Sequence, residues 1–457
     1  MTKNLTLGNP LSMILVFSVP LIIGNLFQQF YSMADTYIVG STIGMNALAA
    51  VGCTASINFL IVGFIFGFST GASIPAAQRF GANDAPGVRR SFAAGVLLAV
   101  AVAVILTLVS VAGTPFILRF LKTPPEIFDD ARAYITIIFM GTPALTLFNF
   151  ISNAMRAVGD STTPLLFLIA ACVINIILDY VFILVFHTGV AGAAYATVIA
   201  QLFSGLACIP VIMKKLTILR IRKEDWRGLS GREIISHAKI ALPVGFQMSI
   251  IAIGAIAVTY ALNNIGTTAV AAFTTSQKID QLAAMPLNSF GLAMTTYAAQ
   301  NFGAKKYPRI IKGIIQAATL AVCFSVLMAA VFFFFGNHLA ALFLGEEQEA
   351  VTMSHTYLKI NGLCYPLLAW LFISRQSLQG MGDTVTATLA GILELAGRTA
   401  AAILLGSAWG FTGISCSSPL AWALALIPLT SATVIKLKKL NRMDLAQKKE
   451  HHVALGK

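Results

Sequence analysis

Apolar runs long enough to cross a bilayer recur along the whole chain, separated by short polar breaks. Read between those breaks, the pattern predicts helices over approximately 11–38, 47–72, 92–114, 133–156, 163–186 and 190–213. A second set follows over 238–262, 268–296, 313–336, 352–376, 384–406 and 411–435. A helix of about 20 apolar residues spans a hydrocarbon core of about 30 Å. The expected fold class is therefore an all-α integral membrane protein with twelve transmembrane helices in two pseudo-symmetric six-helix bundles. The first run has no basic leader followed by a short apolar stretch and a small-residue cleavage site, so it is expected to be a retained helix.

The two sets repeat one another. Pro20 corresponds to Pro243, and QRFGA at 78–82 corresponds to QNFGA at 300–304. Gly159 and Asp160 correspond to Gly382 and Asp383, and Gly189 and Gly192 to Gly410 and Gly413. The offsets are 223, 222, 223 and 221, nearly constant and in order, which marks an internal duplication. Each repeat has an even number of helices, so both enter the membrane in the same direction. Two such bundles with a cavity between them is an architecture that secondary transporters use. The expected organisation is an N-terminal lobe over 1–213, a basic cytoplasmic linker over 214–237, a C-terminal lobe over 238–440 and a cytoplasmic tail over 441–457.

Composition agrees, since 57% of residues are apolar and 11% charged, against about a quarter charged in an average soluble domain. A net charge of +13 would point to nucleic acid in a soluble protein. Here its placement gives another meaning. With a cytoplasmic N-terminus, the inner segments hold 25 of the 31 basic residues, Arg156 and Arg375 among them. The outer segments hold Arg119, Lys122, Arg132 and Lys359. Both termini are thus expected in the cytoplasm of a multi-pass cell (inner) membrane protein, with no nucleic-acid partner. The six cysteines stand singly in apolar segments, which fits packing and no metal or cofactor site. No phosphate-binding loop, zinc-hydrolase or nucleophile-elbow motif appears, so the chain is not expected to be an enzyme.

The charges inside the helices carry the candidate chemistry, because an ionisable group at membrane depth is costly and marks a pathway or relay. In the second half, Lys278 and Asp280 lie in the eighth helix, and Glu394 and Arg398 lie four apart in the eleventh. Two positive and two negative charges can cancel there as a network. In the first half the acids are Asp35 and Asp179, with no Lys or Arg at membrane depth. Tyr31 stands four before Asp35 and Asn175 four before Asp179, one turn away on the same face. From the helical rise, Asp35, Asp179 and Thr197 lie roughly 8, 12 and 10 Å from the outer ends of their helices. The acids can therefore meet, and the pair is expected to take up a proton or a small cation near neutral pH. Pro20, inside the first helix, removes a backbone hydrogen bond and offers a hinge.

The stretch PLIIGNLFQQFYSMADTYIVG, the two QxFGA loops and the RAVGDSTTP and QGMGDTVTA turns resemble the multidrug and toxic compound extrusion (MATE) family over essentially residues 8–440. The resemblance implies an antiporter of two six-helix lobes that exports amphipathic, often cationic compounds in exchange for H⁺ or Na⁺ by alternating access. The family's N-terminal cation site matches Tyr31, Asp35, Asn175, Asp179 and Thr197, and the paired acids are similar to the proton-coupled DinF-like branch. Na⁺ remains an alternative ion at Asp35, Asn175, Asp179 and Thr197. The seventh helix reads GFQMSIIAIG, without the acid that some members carry there. Expected partners are drug-like small molecules and membrane lipids, and the chain is expected to act as a monomer. A lipid-linked oligosaccharide flippase of the same superfamily is the alternative reading, and a passive channel is a third class.

Overall fold

The computed structural model describes residues 3–121, 123–345 and 347–455, the side chains of 252, 255–257 and 451–455 excepted; Lys122 lies outside the described residues. In chain order the helices of the first half are α1 (Pro10–Thr42), α2 (Met45–Gly81), α3 (Ala85–Phe120), α4 (Pro125–Met140), α5 (Thr142–Ala157), α6 (Thr162–Tyr180) and α7 (Val190–Lys214). A short α8 (Lys223–Arg227) follows. The second half holds α9 (Gly231–Asn263), α10 (Thr267–Gly303), α11 (Tyr307–Leu344), α12 (Gln348–Leu363), α13 (Tyr365–Gly380), α14 (Thr384–Ser415) and α15 (Ser417–Leu455).

Among the described residues, nine helices are long and apolar enough to span a membrane. The pair α4 and α5, bent by 44° at Gly141, makes ten. The two remaining expected spans are α10 and the broken pair α12 and α13, whose polar side chains lower their hydropathy. Each broken span has a proline in the first turn of its second piece, Pro143 and Pro366, where the missing N–H interrupts the helical ladder. The ends differ from the apolar pattern because helices continue into polar sequence, as α2 does through QRFG. The last two spans turn at Gly410 inside α14, where the backbone leaves helical geometry at φ 57°.

The duplication holds at the level of the backbone. Helices α2 and α10 are both 37 residues long and begin 222 apart, and α4 and α12, at 16 residues each, begin 223 apart. Left-handed backbone recurs at the same places: Gly44 and Gly266, Asn83 and Lys305, Gly159 and Gly382, Gly189 and Gly410. The repeated Gly–Asp turn ends in a helix start that its own aspartate secures. Asp160 Oδ1 accepts from Thr163 N at 3.0 Å and Asp383 Oδ1 from Thr386 N at 3.2 Å.

Packing divides the chain inside α1 and α9. One compact unit is made of Met1–Lys3 and Pro20–Ser249, the other of Asn4–Val19 and Ile250–Lys457. In the first unit, α2 meets the start of α9 closely: a Cβ on Gly67 would stand 2.4 Å from the Val244 carbonyl oxygen, and one on Gly71 would stand 2.8 Å from Ala241 Cα. Small residues allow this backbone approach. Phe92 and Phe150 stack at 5.5 Å in its core. The linker read as charged sequence also packs here, since Leu216 and Leu219 are buried in that core and Arg89 Nε donates to Asp225 Oδ2 at 2.9 Å. Arg79 of the QRFGA loop pairs with Glu233, in the first turn of α9.

The second unit treats the segment before α1 in the corresponding way. Leu5 N donates to Gln300 Oε1 at 3.0 Å, Lys306 Nζ to the Thr6 carbonyl at 2.8 Å and Arg309 Nη1 to the Gly8 carbonyl at 2.7 Å. Each QxFGA loop region therefore binds the residues that lead into the other repeat's first span.

Candidate functional site

The acids of the first half come together from α1 and α6 near one end of their helices. Both side chains are buried, Asp179 fully and Asp35 with 9% exposure. Helical spacing puts Tyr31 one turn before Asp35 and Asn175 one turn before Asp179, and α7 supplies Thr197. The Tyr31 hydroxyl lies 3.0 Å from Thr197 Oγ1. The Asn175 amide is satisfied at both ends in one orientation, its nitrogen donating to Asp179 Oδ2 at 3.0 Å and its oxygen accepting from Thr197 N at 3.1 Å. All five expected residues therefore lie in one unit, and Thr197 ties the α1 and α6 halves together. Just past Asp179, α6 widens into a π-helical turn over Val181–Val185, a feature frequent at functional sites.

What the acids lack matters as much. Asp35 Oδ1 and Asp179 Oδ1 are buried with no hydrogen-bond partner, and among the described residues neither acid belongs to an ion pair. Burying an ionised carboxylate without a partner is expensive, so these oxygens suit a bound proton or a small cation shared between oxygen ligands. Among the described residues, no group of three or more His, Cys, Asp or Glu could hold a metal ion.

Tyr134 on α4, a residue that the sequence pattern does not single out, joins this site. It is buried and lies within electrostatic reach of Asp35, Asp179 and Tyr31. A lone tyrosine on an apolar helix gives no local signal. Its only sequence mark is Tyr357, 223 residues on, at the same place in the second repeat.

The second unit has a different charge arrangement from the expected one. Glu394 accepts from Arg375 Nη2 at 2.6 Å and from Arg398 Nη2 at 3.0 Å. Arg375 is thus no loop residue: α13 continues past it to Gly380, and it is only 3% exposed. Asp280 accepts from the Tyr365 hydroxyl at 2.6 Å and lies within electrostatic reach of Arg398. Lys278 is exposed and belongs to no ion pair among the described residues. Two residues apart on a helix point to different sides, which separates it from Asp280. The cancelling charges are Asp280, Glu394, Arg375 and Arg398.

Pro20 lies inside α1, where that helix passes from one compact unit to the other. The model of the MatE family matches residues 20–181 and 243–411, and both stretches begin at the repeat-related prolines. The chain belongs to the MatE family. One curated relative is the probable multidrug resistance protein YpnP of Bacillus subtilis (strain 168), 30% identical over 372 residues that cover 81% of this chain and 82% of that protein. Another is the multidrug export protein MepA of Staphylococcus aureus (strain MSSA476), 25% identical over 414 residues, 90% of each chain.

Solved structures share the fold. A crystal structure of MATE in complex with MaL6 matches with a TM-score of 0.88 at 22% identity, covering 97% of this chain and all of that one (100%). An outward-facing multidrug resistance MATE family transporter of the MOP superfamily matches with a TM-score of 0.88 at 22% identity, covering 96% and 99%. The twelve-helix arrangement is accordingly the MatE family fold, and the chain is a multi-pass membrane transporter rather than an enzyme.

Proposed function

We propose that this chain exports amphipathic, cationic drug-like compounds from the cell, driven by inward movement of H⁺ through the Asp35 and Asp179 site. The observation that carries this reading is the pair of buried carboxylate oxygens without a fixed positive partner. Multidrug export is what the names of MepA and, as a probable role, YpnP describe for those proteins. In the proposed cycle, one face of the membrane loads the acids with protons and the other takes them away. Loss of the proton favours drug binding, and its return favours release. Tyr31, Asn175 and Thr197 hold the acids in register, and Pro20 supplies a bend through which their charge state alters α1. Na⁺ at Asp35, Asn175, Asp179 and Thr197 is the alternative occupant, because the same oxygens suit a hard cation. Both termini face the cytoplasm of the cell membrane, and one chain suffices as a monomer.

Expression in bacterial cells stripped of their own pumps tests the reading with ethidium, a lipophilic cation. Wild-type cells should accumulate less ethidium than vector controls, and Asp35→Asn or Asp179→Asn cells should match the controls at equal membrane levels of protein. Undiminished extrusion by both variants would remove the acids from the mechanism.

A further inference from the structure

The second unit contains a polar cluster that the export cycle leaves unused, buried at Tyr357, Tyr365, Arg375 and Glu394 and half-buried at Asp280 and Arg398. Its members are Asp280 on α10, Tyr357 on α12, Tyr365 and Arg375 on α13, and Glu394 and Arg398 on α14. The duplication gives this cluster a reference. Helices α4 and α12 begin 223 apart, as do α5 and α13, so Tyr357 stands where Tyr134 stands in the first repeat. The same offset holds at the Gly–Asp turns that open α6 and α14, at Gly159 and Gly382 and at the Asp160–Thr163 and Asp383–Thr386 hydrogen bonds. It falls to 221 only at Gly189 and Gly410, beyond the π-helical turn that α6 has at Val181–Val185. Carried forward from the Gly–Asp turn, the offset pairs Arg398 with Asn175. In the first unit a neutral amide holds an acid at that position, and in the second a guanidinium stands there.

The rest of the cluster is arranged around that positive charge. Ala402, buried, replaces Asp179, and the positions opposite Asp35 read Ile256, Ala257, Val258. The acids come from other places, Asp280 and Glu394. Glu394 is held by Arg375 as well as Arg398, so the Arg375–Glu394 pair is neutral by itself. Asp280 accepts from the Tyr365 phenol and, among the described residues, has Arg398 as its counter-charge. Tyr357, fully enclosed, lies within electrostatic reach of both Asp280 and Arg398. The four charged groups sum to zero without any mobile ion.

We propose that Arg398 is a tethered counter-cation that closes the second unit's polar site to exchangeable cations, so that cation coupling belongs to the first unit alone. The assignment of coupling rests on the function proposed above, whereas the closure of the second site stands on the cluster's own charge balance. Taking away Arg398 leaves a net charge of −1 among Asp280, Glu394 and Arg375, with the Tyr357 and Tyr365 hydroxyls beside it, and such a set takes a monovalent cation.

Tracer binding of Na⁺ to the purified full-length chain tests this. Arg398→Gln should bind one more Na⁺ per chain than its parent. Arg398→Lys, which keeps the charge, should bind no more than its parent, and Arg398→Gln/Asp280→Asn should lose the gain. The readout is a difference from the parent, so it does not depend on whether the first unit itself binds Na⁺. Failure of the coupling reading would appear separately, as ethidium export that survives loss of Asp35 and Asp179. Thermal unfolding supplies a second measure if Arg398→Gln folds poorly: adding Asp280→Asn should recover at least half of the lost melting temperature. Absence of extra binding in folded Arg398→Gln, an equal gain in Arg398→Lys, or losses that add in the double variant would each overturn the proposal.

Discussion

Thr197 is the residue on which the site's geometry converges, because its hydroxyl meets Tyr31 and its backbone N–H meets the Asn175 amide. Replacing Tyr31 by Phe removes one hydrogen bond and should cost about 1 kcal/mol of stability. Asn175→Ala should cost more, about 1–3 kcal/mol, since it leaves Asp179 Oδ2 without its donor as well. Chemical unfolding in detergent would rank the two, and ethidium export should fall in the same order. At this scale the sequence was informative where partners share a helix. Asn175 with Asp179 follows from four-residue spacing alone, whereas the Tyr31 hydroxyl, one turn from Asp35, meets Thr197, which was reachable from depth. Tyr134 was not, because its link to the acids comes from tertiary packing of α4. In the sequence Arg375 counts as an inner-segment charge, because a single arginine after an apolar run looks like the run's end. Only the fold shows that α13 continues and that Glu394 awaits it.

Helix contacts raise a different expectation. The α2 face at Gly67 and Gly71 meets the backbone of α9, which cannot move aside as a flexible side chain would. Gly67→Leu should therefore destabilise the first unit by about 1–3 kcal/mol through overpacking, seen as a lower melting temperature and reduced membrane yield. A milder change tests the proposed hinge at Pro20 in α1. Pro20→Ala restores a backbone donor within the helix, so initial export rates should fall while ethidium affinity is kept; rates equal to wild type would remove Pro20 from the cycle. Most elements were legible as apolar runs, and the duplication was visible in four short motifs. The breaks at Gly141 and Cys364 were not legible, because no polar interruption in the sequence marks either one. Nor was the assignment of residues 4–19 to the second unit's packing, which arises from contacts with Gln300, Lys306 and Arg309 across some 300 positions of sequence.

For the whole molecule, the proposed orientation predicts labelling by side. Ser230 and Gln348 are both exposed, and the proposed orientation has them on opposite faces of the membrane. A cysteine at 348 should react with an impermeant maleimide in intact cells and a cysteine at 230 should not; reaction at both would break the expected topology. The central claim is that the charge imbalance between the units, unpaired acids in one and a self-neutralised cluster in the other, makes the first unit the seat of proton coupling. The most direct test is drug transport into proteoliposomes under an imposed pH gradient in nominally Na⁺-free buffer. Wild-type protein should move ethidium in proportion to the gradient, and Asp35→Asn and Asp179→Asn should each remove that dependence while remaining folded. Transport that ignores the pH gradient and requires millimolar Na⁺, or full gradient-driven transport by both variants, would contradict the account.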